Sequence, residues 1–488
     1  MKYPRKTLAA VAAVAAFVPA VHAADLESLF TDGKSEIDAF WYTRDREVQE
    51  DSSNPAANAK PQRNIRASVL GVEGTYFSGL AFGFLGFDLG GHVSGGTSSA
   101  GQTEILHYNF TAPSHIPNYN GTIPKGADDS YGYGLERANL RFQFGDQNFG
   151  ATVKAGFLPI DVGTIGPGYG LFTHSYRGIE IKGNVTPEVM VGYAWADKYR
   201  NEWDTDYHPI TNRFNQGLNP AGMSNIGYIS FLQTAGFRYT PKAVPGAFVD
   251  LGIGESQQFR RNAQAWVGYP VQFSPDTKVT FTGYLQLARY GGANADLYFK
   301  QSAGSNGGQT TVTSTEWYSS LAARLQHRDL SVDAGFAKVY APGAFYSPER
   351  GMMLTRLTPY GNSDRRIERE GIAILDDFLF HGSNVFSLGA NYPIGKAFGI
   401  PTLSAGAKVF YATGVKARAD HVSLENTPSA IEKELDLNVT YIVPDGMLKG
   451  LMFRVRPSFL RFSKNFPVAA NRESDNDIQF HVIYSKQF

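Results

Sequence analysis

The sequence predicts an all-β fold, a transmembrane antiparallel β-barrel of eighteen strands with short periplasmic turns and long extracellular loops. Three observations carry that prediction. Apolar and polar residues alternate with period two from end to end. The connections between these runs alternate short and long along the chain. Past the N-terminal leader, no apolar stretch reaches the ~18 residues that a membrane-crossing helix needs.

Each alternating run reads as a strand with one greasy face. The first lies near 35–43. "ERANLRFQF" sets Ala138, Leu140, Phe142 and Phe144 against Arg137, Asn139, Arg141 and Gln143. "FGATVKAGF" sets Phe149, Ala151, Val153, Ala155 and Phe157 against Thr152 and Lys154. "EVMVGYAW" places Val189, Val191, Tyr193 and Trp195 on one face. "VTFTGYLQLARY" sets Val279, Phe281, Leu285 and Leu287 against Thr280, Thr282, Tyr284 and Gln286. "LNVTYIV" and "GLMFRVRPSF" repeat the pattern, the latter with Arg454 and Arg456 on the polar face. The last strand, 476–488, alternates Ile478, Phe480, Val482 and Tyr484 with Gln479, His481 and Ser485, and the chain ends on Phe488. Pro270 and Pro457 fall inside predicted strands and cannot donate to a ladder, so each predicts a bulge or a strand end.

Short connections are Ser78-Gly79 and residues 145–148, 184–187, 241–246, 274–277, 327–329, 394–399 and 444–449. Long ones are 43–63, 94–131, 159–175, 199–225, 291–313, 342–383, 413–431 and 464–475. A sandwich has no reason to sort its loops this way; a barrel threaded through a membrane does. The exception is Gln258–Arg261, where a long loop is due and only a short one fits. Eighteen strands enclose more space than side chains fill, so the apolar face must meet lipid and the polar face must line water. Pairing of the last strand with the first removes the sheet edges.

The termini agree. "MKYPRKTLAAVAAVAAFVPAVHA" has a basic start, an apolar run and a small-x-small site, and predicts a secretory leader, 1–23, ahead of a single barrel domain, 24–488. The leader carries Lys2, Arg5 and Lys6, so the 45 basic residues fall to 42 against 45 acidic ones, a net charge near −3 that offers nothing to nucleic acid. Cysteine is absent, which excludes disulfides, thiolate metal sites and a cysteine nucleophile. Ten histidines show no helical ligand pair, so neither a metal nor any other cofactor is expected. His174-Ser175 with Asp161 contains hydrolase residue types without a nucleophile elbow, so no enzyme is expected. A terminal aromatic on an alternating strand resembles the signal that the barrel assembly machinery reads, with Phe488 as the partner residue.

Function then rests on the lumen. Projected by parity, Arg66, Arg137, Arg141, Lys154, Arg238, Arg324, Lys408, Arg454 and Arg456 point inward. Such a set either forms a ladder that passes anionic solutes from site to site or is neutralised by Asp88, Asp250, Asp333 and Glu180 and serves structure alone. The glycine-rich loop 159–178 either narrows the pore, with Asp161, Tyr169, Phe172, His174 and Tyr176 at the constriction, or lies outside. The charged loop 347–378 supplies Arg356, Arg365 and Arg366 as further candidates.

The stretch "VKAGFLPIDVGTIGPGYGLFTHSYRGIEIKGNVTPEVMVGYAWADKYRNEW", with "WYTRDRE" at 41–47 and "VPDGMLKGLMFRVR" at 443–456, resembles the OprD porin family. The resemblance implies an outer-membrane channel of a Gram-negative bacterium, monomeric or trimeric, in contact with outer-membrane lipids and lipopolysaccharide. It also implies passive uptake of small-molecule solutes. "DKYRNEW" is closer to the chitoporin-like branch, which implies chitooligosaccharides or other small nutrients, with Tyr169, Phe172 and Tyr284 as stacking platforms. The alternative is uptake of amino acids and other small carboxylates along an arginine ladder. A plugged barrel acting as an adhesin or enzyme is the rival from another class.

Overall fold

The computed structural model describes residues 23–50, 63–99, 131–146, 148–165, 173–200, 207–211, 228–293, 295, 315–340, 378, 381–415, 429–463 and 472–488. A short helix, α1 (Ala23–Thr31), precedes the strands β1 (Lys34–Glu50), β2 (Arg63–Phe77), β3 (Leu85–Ser99), β4 (Tyr131–Gly145), β5 (Gly150–Leu158), β6 (Ser175–Thr186) and β7 (Val189–Arg200). Then come β8 (His208–Thr211), β9 (Tyr228–Ile229), β10 (Leu232–Tyr239), β11 (Phe248–Ser256), β12 (Arg260–Ser274), β13 (Thr277–Tyr290), β14 (Thr315–His327) and β15 (Leu330–Tyr340). The last five are β16 (Asn384–Tyr392), β17 (Ser404–Val415), β18 (Ala430–Ile442), β19 (Met452–Phe462) and β20 (Arg472–Gln487).

All twenty strands belong to one sheet. The pieces β8 and β9 are short additions beside β7, which leaves the eighteen staves that the alternation predicts. Neighbours pair antiparallel, β7 pairs directly with β10, and β1 pairs with both β2 and β20, so the barrel is closed. Phe488 seals the seam: its N–H donates to the Ser35 carbonyl at 2.9 Å and its carbonyl accepts from Ser35 N–H at 3.1 Å. The greasy faces look outward, as Leu140, Val191, Leu251, Phe281, Leu321 and Val409 are all exposed large side chains. No helix among the described residues is long and apolar enough to cross a membrane.

The two prolines sit where the ladder does not need them. The β18–β19 ladder has a gap between Asp436↔Ser458 and Val439↔Val455, with the register unchanged across it, and Pro457 lies in the gap. Pro270 lies beyond Gly268, where β12 has already lost β11 as a neighbour. The anomalous short connection at 257–259 is a tight turn with Gln258 in the left-handed region at φ 53°.

Three expectations are corrected. Strands β1 and β3 run on to Glu50 and Ser99, so the long connections begin later than 43 and 94. Past the lipid both faces see water, alternation stops, and a polar strand such as "REVQE" reads as loop. The turn expected at Ser78-Gly79 instead spans 78–84, with an Ala81↔Leu85 bridge and Phe82 and Gly83 both at positive φ. The inner face is not uniformly polar either. Tyr318, Val339, Val385, Phe410 and Ala412 point inward and are buried together with Phe378, whose ring stacks on Phe410 at 5.2 Å. Phe378 comes from the connection after β15, so that end of the connection packs against the inner wall. The predicted leader lies outside the described residues except for Ala23.

Candidate functional site

The first described residues of the connection after β5, 159–165, turn inward and lie against the inner wall. Val162 and Ile165 bridge to each other around Gly163, and Ile160, Val162 and Ile165 are buried against β7 and β10 residues such as Ala194 and Leu232. What admits this segment is a row of missing side chains. Gly192, Gly236 and Gly252 stand in register on β7, β10 and β11, next to Gln264 on β12. Their neighbours Val191, Phe237 and Leu251 face outward, so the glycines face in. A Cβ on Gly236 would stand 2.7 Å from Gly163 N, and one on Gly252 would stand 2.6 Å from Gly163 C. Gly163 itself, at φ 57°, has no room for a Cβ against Ala235 O at 2.3 Å. Polar contacts fix the seat: Thr164 N–H donates to Thr234 Oγ1 at 2.8 Å, and Gln264 Nε2 donates to Gly163 O at 2.5 Å. Asp161 is exposed, and its N–H donates to Glu180 Oε2 at 3.0 Å.

The far end of the connection is held by a buried polar network on another wall. Thr173 Oγ1 donates to Glu73 Oε1 at 2.9 Å, and Arg200 Nη2 donates to Thr173 O at 2.6 Å. Arg200 also reaches Ser175 Oγ at 3.2 Å and Glu136 Oε1 at 3.5 Å, while His92 Nδ1 lies 2.6 Å from that same Glu136 oxygen. His174 Nδ1 meets Tyr199 OH at 2.7 Å, and Ser175 Oγ meets Tyr207 OH at 2.7 Å. Burial holds the Tyr207 hydroxyl above its ordinary pKa. The described residues of the connection, 159–165 and 173–174, therefore start and finish against inner walls. Tyr176 is buried beside Tyr199. Tyr169, Phe172, Arg356, Arg365 and Arg366 lie outside the described residues, as does the side chain of Arg66.

The inward basic residues divide in two. Lys154 Nζ and Arg141 Nε share Asp88 at 3.0 and 3.4 Å, Arg238 Nε donates to Asp250 at 2.9 Å, and Lys408 Nζ meets Asp333 at 2.8 Å. Arg324 stands opposite Asp333 in register. These cations are compensated on the spot. Arg137, Arg454 and Arg456 make no ion pair among the described residues. Arg137 lies over the Phe77 ring at 5.4 Å, and Arg454 Nε reaches only the Thr440 hydroxyl at 3.3 Å. Near Arg456, Asp477 is already bridged to Arg44 at 2.6 Å and Asp436 accepts from Ser458 Oγ at 2.5 Å. Tyr284 is inward but buried, with its hydroxyl directed to Gln264 at 3.4 Å and its ring beside Tyr318. Its faces are covered.

The wall built by β18, β19, β20 and β1 is the most charged. Glu432, Glu434, Asp436, Asp475 and Asp477 lie toward the long-connection end of the barrel, and Arg454, Arg456 and His481 nearer the short-turn end. Arg44 and Arg46, on β1, bridge to Asp477 and Asp475. Reading the sequence by parity missed Arg44 and Arg46, because their neighbours Thr43 and Asp45 are polar and no apolar alternation marks that stretch as strand. It also missed Glu73, Glu136 and Arg200, because only the returning loop gives those positions a common role.

Residues 290–488 match the family model described as outer membrane porin, OprD family. A search of curated proteins finds no match. Among solved structures, OpdO of Pseudomonas aeruginosa is 15% identical with a TM-score of 0.64, over 95% of this chain and 99% of that one. OccAB1 of Acinetobacter baumannii is 14% identical with a TM-score of 0.67, over 95% and 98%. OpdK of Pseudomonas aeruginosa, solved with vanillate, is 13% identical with a TM-score of 0.66, over 94% and 99%. At these identities the likeness is one of fold.

Proposed function

With residues 290–488 in the OprD family of outer-membrane porins, we propose that the chain is a passive channel of a Gram-negative outer membrane. Its preferred solutes are small molecules that carry a carboxylate, amino acids among them. The observation that carries this reading is the pair Arg454 and Arg456. Both are inward on β19, two residues apart, without an ion pair among the described residues. A guanidinium without its own carboxylate is free to bind a passing one, two-pronged and reversibly. The carboxylates of the same wall are buried, Asp475 and Asp477 in ion pairs with Arg46 and Arg44, so the partly exposed Arg454 and Arg456 are the charged groups left to meet a solute. The vanillate bound by OpdK is itself a carboxylate, which supports the reading.

The experiment is a planar bilayer under a salt gradient, with glutamate and chitohexaose as blockers. Arg454→Ala with Arg456→Ala is expected to move the reversal potential toward cation preference and to weaken glutamate block. An unchanged reversal potential in the double variant would sink the proposal. Stronger block of the wild type by chitohexaose than by glutamate would favour the chitooligosaccharide alternative. That alternative loses Tyr284 as a stacking platform, since its ring is covered.

A further inference from the structure

The outward face of the barrel carries a feature the channel does not use. Glu255, Arg261 and Arg289 stand side by side in one register row, at the extracellular ends of β11, β12 and β13. Their parity is that of Ile253, Leu251, Leu285 and Leu287, which are exposed on the lipid side. Arg261 and Arg289 are thus direct cross-strand neighbours of like charge, an arrangement that costs stability unless an anion lies between them. Glu255 Oε1 sits 3.6 Å from Arg261 Nη2, with the Arg261 side chain 77% exposed, and offsets only one of the two. Arg289 is exposed and has no carboxylate partner among the described residues.

The height of this pair is fixed by its neighbours. One row nearer the membrane centre runs Ile253, Ala263, Leu287, Trp317 and Tyr340. The last two stack at 5.8 Å and mark the aromatic belt at the interface. The arginines come one row later, at the strand ends, which suits a place at headgroup level. Below Arg261, β12 presents only Ala263 and then Ala265 outward, between Ile253 and Leu251 on one side and Leu287 and Leu285 on the other. Small residues flanked by large ones make a shallow groove that runs into the membrane from the charged pair. At the rim a cavity of about 500 Å³ opens, lined by Glu255, Gln258, Arg261, Arg289 and Gly292.

We propose that this face is a binding site for a phosphorylated glycolipid of the outer leaflet, with a phosphate held between Arg261 and Arg289 and an acyl chain along Ala263 and Ala265. Arginine matches a phosphate with two parallel donors, and the groove below suits a lipid tail better than a free ion. The proposal depends on the outer-membrane placement but not on what the lumen carries.

Native mass spectrometry of the full-length protein in detergent tests it, with bisphosphoryl lipid A, its dephosphorylated form and inorganic phosphate as probes. Bisphosphoryl lipid A is expected to bind saturably. Removing its phosphates, or combining Arg261→Gln with Arg289→Gln, is expected to weaken binding roughly ten- to thirtyfold. Ala263→Phe fills the groove without touching the charges and is expected to weaken binding as well. Arg328→Gln, exposed at the periplasmic end beside Asp276, is expected to leave binding at the wild-type value. Equal retention by the double arginine variant, equal binding of the dephosphorylated lipid, or displacement by millimolar phosphate would each overturn the site. Wild-type binding by Ala263→Phe would overturn the groove. Heat-modifiable gel migration confirms that each variant is folded. Conductance of the same samples separates the two readings: a conducting double variant that has lost lipid leaves the channel intact, and a silent barrel that keeps lipid sinks only the channel.

Discussion

Two walls of the same lumen can be set beside each other. On β7, β10 and β11 the inward row is Gly192, Gly236 and Gly252, and a loop backbone lies against it. On β18, β19, β20 and β1 the inward rows hold Glu434, Asp436, Arg456, Gln479 and Arg44, and long polar side chains fill the space. Both walls follow the same alternation and the same pairing. The difference lies in side-chain volume and charge. Where the wall withholds side chains it admits a second layer of backbone; where it supplies them they pack into a largely buried charged network. Strand count sets the outer size of the barrel, and these two choices set what is left inside.

The comparison predicts its largest effect on the glycine wall. Gly252→Val would drive a side chain into Gly163, and the expected result is an unseated loop, a higher open-channel conductance and a stability loss of about 1–3 kcal/mol. Thermal midpoints and single-channel currents check both parts. Unchanged conductance would mean that the seated segment does not limit the pore. A valine at Gly446, where nothing lies within 4 Å but φ is 77°, is a strain control that leaves the loop alone.

Next in size is the compensated charge. Asp88→Asn leaves Arg141 and Lys154 facing each other, at an expected cost of about 1–2 kcal/mol. That is less than the loss of a fully buried pair, since both cations reach lumen water. Denaturant midpoints measure it. On the charged wall the opposite split is expected: Arg454→Ala with Arg456→Ala changes selectivity and leaves stability within about 0.5 kcal/mol. A stability loss as large as that of Asp88→Asn would show that those arginines are structural after all.

The smallest effect belongs to the short turn after β4. Asp146 Oδ1 accepts N–H groups from Asn148 at 2.7 Å and Phe149 at 2.9 Å, and these bonds hold its carboxyl below the ordinary value of 3.8. A depressed folded-state pKa means the stabilisation is fully present above that value and fades as pH falls below it. Protection of the Asn148 and Phe149 amides, taken relative to their intrinsic exchange at each pH, is expected to fall only under acid. The same protection at neutral and low pH would remove the argument.

Much of the barrel was legible because it rests on local rules. Alternation placed Leu140 against Arg141, and loop sorting located the two ends. Pro457 announced a gap in the β18–β19 ladder, whereas β12 runs on through Pro270 to Ser274, past the end of its pairing with β11. Parity also placed Lys154, Arg238 and Lys408 inward. The neutralised alternative named Asp88, Asp250 and Asp333 as a set, and parity could not say which cation each would meet, since those partners come from other strands. The polar run at 46–50 read as loop because hydrophobic alternation vanishes once a strand leaves the lipid.

The sequence by itself determined which faces turn to lipid and that the last strand must close on the first, because the period of a strand is two and an unpaired edge in a bilayer is intolerable. Only the tertiary structure decided which arginines were left without a carboxylate and that three glycines far apart in sequence would make one seat for Gly163. Those outcomes depend on cross-strand register, which sums every turn and bulge around the ring, and no local pattern in the chain records that sum.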